Sequence, residues 1–320
     1  MDNRGQPRLL WWRKLGHDIR SYLLGNADFA LVEEAFTSWL YPLDLEFTLQ
    51  RADLYYAPRD AEGLPMRHYL TVGVQYNPTR IAAYALAHFN RYERTRDEES
   101  KAAFFKAVEW FMRAPDARWA YPFPWLDLRP PWLSAMAQGE GISVLVRAWV
   151  LTHQQRYLTQ AQRALEPLIQ PIEAGGVRSS LDDGRPFLEE YPTQTPDHVL
   201  NGFLYALIGL LDLARVVPSA VAPVGLDALL DSLEQHLAAW DAGFWSLYDL
   251  GYRRTGRPNL ATVSYHNLHV TQLTFVGRVT QRRRLVQMAE RWAQDARRLA
   301  CRLRAFGAKV RYRVQEPGLK

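Results

Sequence analysis

One cysteine in 320 residues, Cys301, excludes an intrachain disulfide and a cysteine-built metal cluster. No apolar run approaches the roughly 18 residues of a membrane span, so none is expected. The N-terminal MDNRGQPRLLWWRKLGHDIR holds only the apolar stretch LLWW between charged residues. That is shorter than the about 7–15-residue core of a signal peptide. The chain therefore reads as soluble and cytoplasmic. A Gly-rich phosphate loop, an HExxH pair, a GxSxG elbow and a calcium loop are all absent. With them go the commonest sequence routes to nucleotide, zinc-hydrolase, serine-esterase and calcium-sensor chemistry. No linker rich in Gly, Ser or Pro separates independent domains.

What is present is apolar and aromatic. Hydrophobic residues make up 48% of the chain and aromatics 12%, enough for a large core and for an aromatic-lined cleft. The net charge of +5 favours anionic partners. At this level nucleic acid, a membrane surface and an acidic polysaccharide all fit.

Helical spacing dominates the pattern. PTRIAAYALAHFNRY, ESKAAFFKAVEWFMR, SAMAQGEGISVLVRAWVLT, RYLTQAQRALEPLI, HVLNGFLYALIGLLDLARVV, LDALLDSLEQHLAAW, SYHNLHVTQLTFVGRV and RRLVQMAERWAQDARRLACRL all carry it. In each successive pair the first helix is the more apolar and the second the more charged. One buried and one outward-facing helix per hairpin predicts a mainly α fold, an α/α toroid of helix pairs. LEFTLQRADLYY and HYLTVGVQY alternate in part and predict a small sheet near the N-terminus. GGVRSSLDDGRPFLEEYP and AGFWSLYDLGYRRTGRP read as hairpins or loops inserted between helices, where active groups tend to sit.

Several residues stand out, each with two readings. Tyr191 in EEYPT, Tyr248 in GFWSLYDL and Tyr265 in SYHNLH are either packed tyrosines or groups facing an opening. Gln138, Gly139, Glu140 and Gly141 interrupt a good helix, either for tight helix contact or for close approach by a ligand. Arg147 lies in an apolar stretch and needs an anion or acceptors if buried. His266 and His269 are either two metal ligands or a satisfied pair. The basic run at 281–284 and the arginines after it form a solvated face or attract a polyanion.

Five blocks then read together: YNPTRIAAYALAHFNRY, WLSAMAQGEGISVLVRAWVLT, EEYPTQTPDHVLNGFLYALIGLLDL, SLYDL and SYHNLHVTQL. In this order, over roughly residues 70 to 280, the chain resembles the catalytic C-terminal domain of the D-glucuronyl C5-epimerases. The resemblance implies an incomplete α/α barrel at 71–320, with residues 1–70 as a helical and β segment packed on it. It implies conversion of D-glucuronate to L-iduronate in heparosan or an N-sulfated heparan-like polysaccharide. The catalytic groups it implies are Tyr191, Tyr248 and Tyr265, with Glu190, and the asparagine of its VLNG block is Asn201. Gly251 stands where animal members place an arginine, and Ser264 where they have an aspartate.

Moving a proton at C5 builds negative charge on the sugar carboxylate, which calls for donors. Asn201, Gln138, Arg147, Arg253, Arg254 and His266 are the candidates for substrate binding. Nothing in the sequence requires a cofactor; a divalent cation such as calcium is the one addition it admits. The partner expected is an acidic polysaccharide and not nucleic acid, and a homodimer is compatible. A uronate polysaccharide lyase and a non-catalytic acidic-glycan-binding module are the rival readings.

Overall fold

The computed structural model describes residues 22–23 and 28–315; the N-terminal stretch read above for a signal peptide lies outside them. The fold is mainly helical. Its principal helices are α1 (Pro78–Thr95), α2 (Glu98–Met112), α3 (Ala135–Thr152), α4 (Gln155–Arg163), α5 (Leu200–Ala214), α6 (Leu226–His236), α7 (Val263–Val279), α8 (Arg283–Arg297) and α9 (Leu299–Gln315). Start signals are explicit in the sequence. Asn77 caps α1 by accepting from the Arg80 amide at 3.0 Å, with Pro78 in the first turn. Asp97 does the same for α2 and Thr262 for α7.

α1 packs on α3, α3 on α5, and α5 on α7. Against these lie α2, α4, α6 and α8, each packed on the helix that precedes it in this list. The burial pattern follows. In α5 every residue from Leu200 to Leu213 is buried, whereas α8 buries only Leu285, Ala289, Trp292 and Asp295. A helix apolar all round belongs between other helices, and one with a single apolar stripe belongs outside.

Strands are few and short. β1 (Met66–Tyr69) and β2 (Gly73–Tyr76) form an antiparallel hairpin, with Arg67 opposite Gln75 and Tyr69 opposite Gly73. β3 (Arg178–Ser180) and β4 (Pro186–Leu188) form another. The first hairpin takes in HYLTVGVQY and the two residues before it, Met66 and Arg67. LEFTLQRADLYY is not a strand: Glu46–Gln50 and Ala52–Tyr55 are short helices. Its apparent alternation loses to turn-spaced bonds, the Thr48 hydroxyl donating to the Leu45 carbonyl at 2.5 Å and the Tyr56 amide to Ala52 at 2.7 Å.

The glycines of the QGEG stretch do not break α3; they let α5 approach it. A methyl group on Gly139 would stand 2.5 Å from the Ala206 Cα, and one on Gly209 would overlap the Gly139 carbonyl. Gly141 similarly accommodates the Trp119 ring. Overpacking of this kind costs about 1–3 kcal/mol where neighbours can move, and here the neighbour is backbone. Gly209→Ala is therefore expected to lower the melting temperature markedly; an unchanged melting curve would show that the two helices can separate without penalty.

Among the described residues no helix is long and apolar enough to cross a membrane. The basic face near the C-terminus is partly paired: Arg282 bridges Asp231 and Glu234, and Arg291 reaches Asp241.

Candidate functional site

The segment between β4 and α5 carries the acidic pair. Glu189 is pinned on both sides: its amide donates to Val177 and its carbonyl accepts from Ala135 at the start of α3, at 2.8 and 2.9 Å. Its carboxylate accepts from Ser179 and lies 2.6 Å from His198 Nδ1. These bonds fix the backbone so that the next residue, Glu190, projects against α5. There Gly202 leaves the room, since a Cβ at that position would lie 2.5 Å from the Glu190 Cβ. Asn201 Nδ2 donates to Glu190 Oε2 at 3.2 Å.

Glu190 is buried. Desolvation raises its pKa to about 7, with Tyr191, Asn201 and Tyr248 partly offsetting the rise by hydrogen bonding to the charged form. Its proton is thus poised near neutrality. Tyr248 arrives on the loop before α7 and is held by its backbone: its amide donates to Asn259 at 2.8 Å, and its carbonyl accepts from Leu200, the first residue of α5, at 3.1 Å. Tyr265 sits in the first turn of α7, its ring edge-on to Tyr248 with centroids 5.1 Å apart. Tyr191 packs 6.0 Å from Trp132, at the border of a cluster of Tyr69, Tyr121, Phe123, Leu128 and Trp132.

All three tyrosines hold their protons tightly. Burial, then the charge of Glu190, pushes Tyr191 and Tyr248 well above the ordinary phenol value. Tyr265 is pushed up to about 12 by the same two causes, and the charge of Arg67 pulls it part of the way back. Tyr265 nevertheless keeps 39% of its surface. Tyr265 is the one of the three most open to solvent.

Four residues read as one group in the sequence, Glu190, Tyr191, Tyr248 and Tyr265, are therefore neighbours, with Asn201 beside them. The other binding candidates are placed differently. Gln138 spends its amide on backbone, accepting from Trp119 at 3.1 Å and donating to Ala117 and Ala164 at 2.8 and 3.2 Å. Arg147 is buried in an ion pair with Asp212 at 2.6 Å and donates further to the Ser143 and Leu40 carbonyls. It found its anion inside the protein. His266 is buried, stacked 3.8 Å from Trp245, and its Nδ1 accepts from the Ser246 amide at 3.1 Å. Its Nε2 therefore carries the hydrogen and donates to the Trp292 carbonyl at 3.0 Å. Burial lowers its pKa to about 4, keeping it neutral. Gln138 and His266 have no donor left for a ligand, and the one unpaired nitrogen of Arg147, Nε, is sealed in the core. Arg253 and Arg254 are at the surface but pair with Asp182 and Asp197 at 2.6 and 2.8 Å.

His269 shares the Ser246 hydroxyl with His266 and is buried too, so the two histidines are a structural pair. Among the described residues no group of three or more His, Cys, Asp or Glu is placed to hold a metal ion.

The sequence reading gave Glu140 no role at the site. It is buried in α3, one carboxylate oxygen has no partner, and burial and then Glu190 raise its pKa well above the carboxylate range. Its signal was available: a carboxylate flanked by two glycines that bring backbone close will be enclosed.

The sequence pattern of the D-glucuronyl C5-epimerase C-terminus matches residues 116–294. The chain belongs to this family. A D-glucuronyl C5-epimerase of Caenorhabditis elegans is 36% identical over 218 residues, which is 62% of this chain and 35% of that protein. An uncharacterized protein of Methanocaldococcus jannaschii is 25% identical over 261 residues, covering 72% of this chain and 82% of its own length. The chain thus spans about a third of the nematode relative. The D-glucuronyl C5-epimerase match runs from the loop before α3 to α8, so it contains Glu190 and all three tyrosines.

Proposed function

We propose that the protein epimerises C5 of D-glucuronate to L-iduronate in heparosan or an N-sulfated relative. The helix hairpins are read as an incomplete α/α barrel at 71–320 carrying the site, with the N-terminal part packed on it. The observation that carries the reading is a buried carboxylate of pKa about 7 among three tyrosines, one of them, Tyr265, exposed to solvent. The relative named as a D-glucuronyl C5-epimerase supports it.

C5 lies next to a carboxylate, so its proton is weakly acidic. Its removal leaves the bonding pair delocalised into that carboxylate, and reprotonation on the opposite face completes the inversion. Two groups on opposite sides of the sugar do this most simply. A free tyrosinate is the wrong base here, because burial and Glu190 both raise the tyrosine values. Ionised Glu190 is the better acceptor. As the C5–H bond breaks, the proton passes to the Tyr191 oxygen and the Tyr191 hydroxyl proton passes to Glu190. Tyr265, with Tyr248 beside it, gives its proton to the other face and recovers one from solvent, while Glu190 returns the proton it accepted to solvent. The reverse reaction exchanges the two roles.

The test is incubation of the polymer in heavy water followed by NMR. Deuterium at C5 and new iduronate are expected. An unsaturated product absorbing in the ultraviolet would instead mean a lyase, and binding with no exchange a glycan-binding module. Tyr191→Phe and Tyr265→Phe are each expected to lose about 10²–10⁴-fold in turnover while keeping the fold by circular dichroism. Near-normal turnover in either would make that tyrosine a packing residue only.

A further inference from the structure

Chemistry at C5 puts extra charge on the carboxylate of the reacting sugar, and the arginines after Tyr248 are already paired with Asp182 and Asp197. We propose that Arg67, on the β1–β2 hairpin, is the residue that grips this carboxylate, stacked on Tyr69 at the edge of the aromatic cluster that reaches Tyr191. The inference rests on the proposed C5 reaction for its role in turnover, though not for its role in binding.

Arg67 is exposed, and among the described residues no carboxylate pairs with it. Its guanidinium carbon lies 5.0 Å from the Tyr69 ring centroid. That ring is itself fixed: Asn77 Nδ2 donates to its hydroxyl at 2.7 Å, and Phe123 and Trp125 pack on it at 4.5 and 5.9 Å. A stacked guanidinium loses little freedom when it binds, and its two parallel N–H groups match the two oxygens of a carboxylate.

The position fits the task. Tyr69 belongs to the cluster of Tyr121, Phe123 and Trp132 against which Tyr191 packs. On the other side, the charge of Arg67 reaches the Tyr265 hydroxyl. The guanidinium therefore lies on a ring of the cluster against which Tyr191 packs, with Tyr265 within reach of its charge. A second arginine, Arg80, stands behind it, donating to the Ala57 and Met66 carbonyls at 3.2 and 3.0 Å. No carboxylate among the described residues pairs with it either. Two uncompensated guanidiniums near a cluster whose charged group is Glu190 make an environment in want of an anion. The sugar carboxylate supplies it, and holding it there also withdraws charge from C5 as the proton leaves.

The test uses the full chain, with Arg67→Gln and Arg67→Lys. Calorimetric titration with heparosan oligosaccharides, and with the same oligosaccharides reduced from uronate to glucose, reports carboxylate recognition without any turnover. The wild type should prefer the uronate form, and Arg67→Gln should bind both forms alike. In the heavy-water assay Arg67→Gln should lose about 10²–10³-fold in turnover, as removal of one aimed donor typically does. Arg67→Lys should recover part of this, and millimolar guanidine added to Arg67→Gln should recover some as well. Melting temperature should not change, because the side chain contacts only a ring face. Should Arg67→Gln still discriminate the two polymers, the assignment is overturned. The same holds if its activity falls only together with its melting temperature. If the wild type discriminates and Arg67→Gln does not, yet neither exchanges deuterium, the carboxylate contact stands and the epimerase reading falls instead.

Discussion

Glu190→Gln is expected to remove about 10²–10⁴-fold of turnover and, at pH 8, to make the protein more stable. The two effects have one cause. Desolvation holds the folded-state pKa of Glu190 at about 7, against 4.5 ordinarily. Below pH 4.5 the group is protonated in both states and contributes no pH dependence. Between 4.5 and 7 the unfolded chain releases its proton while the folded chain keeps it, so stability falls as pH rises. Above 7 the folded protein carries a buried ionised carboxylate, and the full penalty, on the order of 3 kcal/mol, is in place. Glutamine fills nearly the same space without a charge to bury. Thermal melts of the two proteins from pH 5 to pH 8 should therefore diverge toward high pH, the variant being the more stable. Turnover of the parent should rise through about pH 7, as Glu190 becomes able to accept. If the melting curves stay parallel, Glu190 is ionised across this range and is not the poised group described.

Asp212→Ala is expected to destabilise the protein by about 3–5 kcal/mol. Asp212 and Arg147 are each 1% exposed and bonded at 2.6 Å, so removing the aspartate leaves a guanidinium charged in a dry interior. Tyr41 and Phe89 rings lie 5.0 and 5.7 Å from that guanidinium and offer only partial compensation. Urea unfolding measures the loss. The double variant Arg147→Met with Asp212→Leu should recover most of it, because buried ion pairs are commonly replaceable by apolar residues of similar volume. If Arg147 also served a substrate, the double variant would be stable yet would no longer bind it.

That pair also shows where reading the sequence runs out. The need of Arg147 for an anion was legible from its apolar neighbours. Which anion was not, since Asp212 lies 65 residues away in another helix. The helices themselves were legible, because spacing and caps such as Asn77 and Thr262 are local. The glycines of QGEG signalled close approach, and helix α5 rather than a ligand proves to be what approaches. Glu190, Tyr191, Tyr248 and Tyr265 could be grouped beforehand only through likeness to a family. They come from two loops and a helix turn whose convergence depends on backbone bonds such as Leu200 to Tyr248. Arg67 gave no periodic signal at all, being one exposed residue on a four-residue strand.

The glycine seam between α3 and α5 bears on how such a chain can change over generations. Gly202, Ala206 and Gly209 follow one another along one face of α5, the first against Glu190 and the other two against Gly139. Inserting or deleting a single residue within either helix rotates everything beyond it by about 100°. It would unseat the backbone contact and swing Glu140 or the Glu190 recess away in the same stroke. The register that keeps the interior closed is also the register that keeps the carboxylates together. Length variation among descendants of this chain should consequently collect in the loops and the β-hairpins, while α3 and α5 keep their residue count.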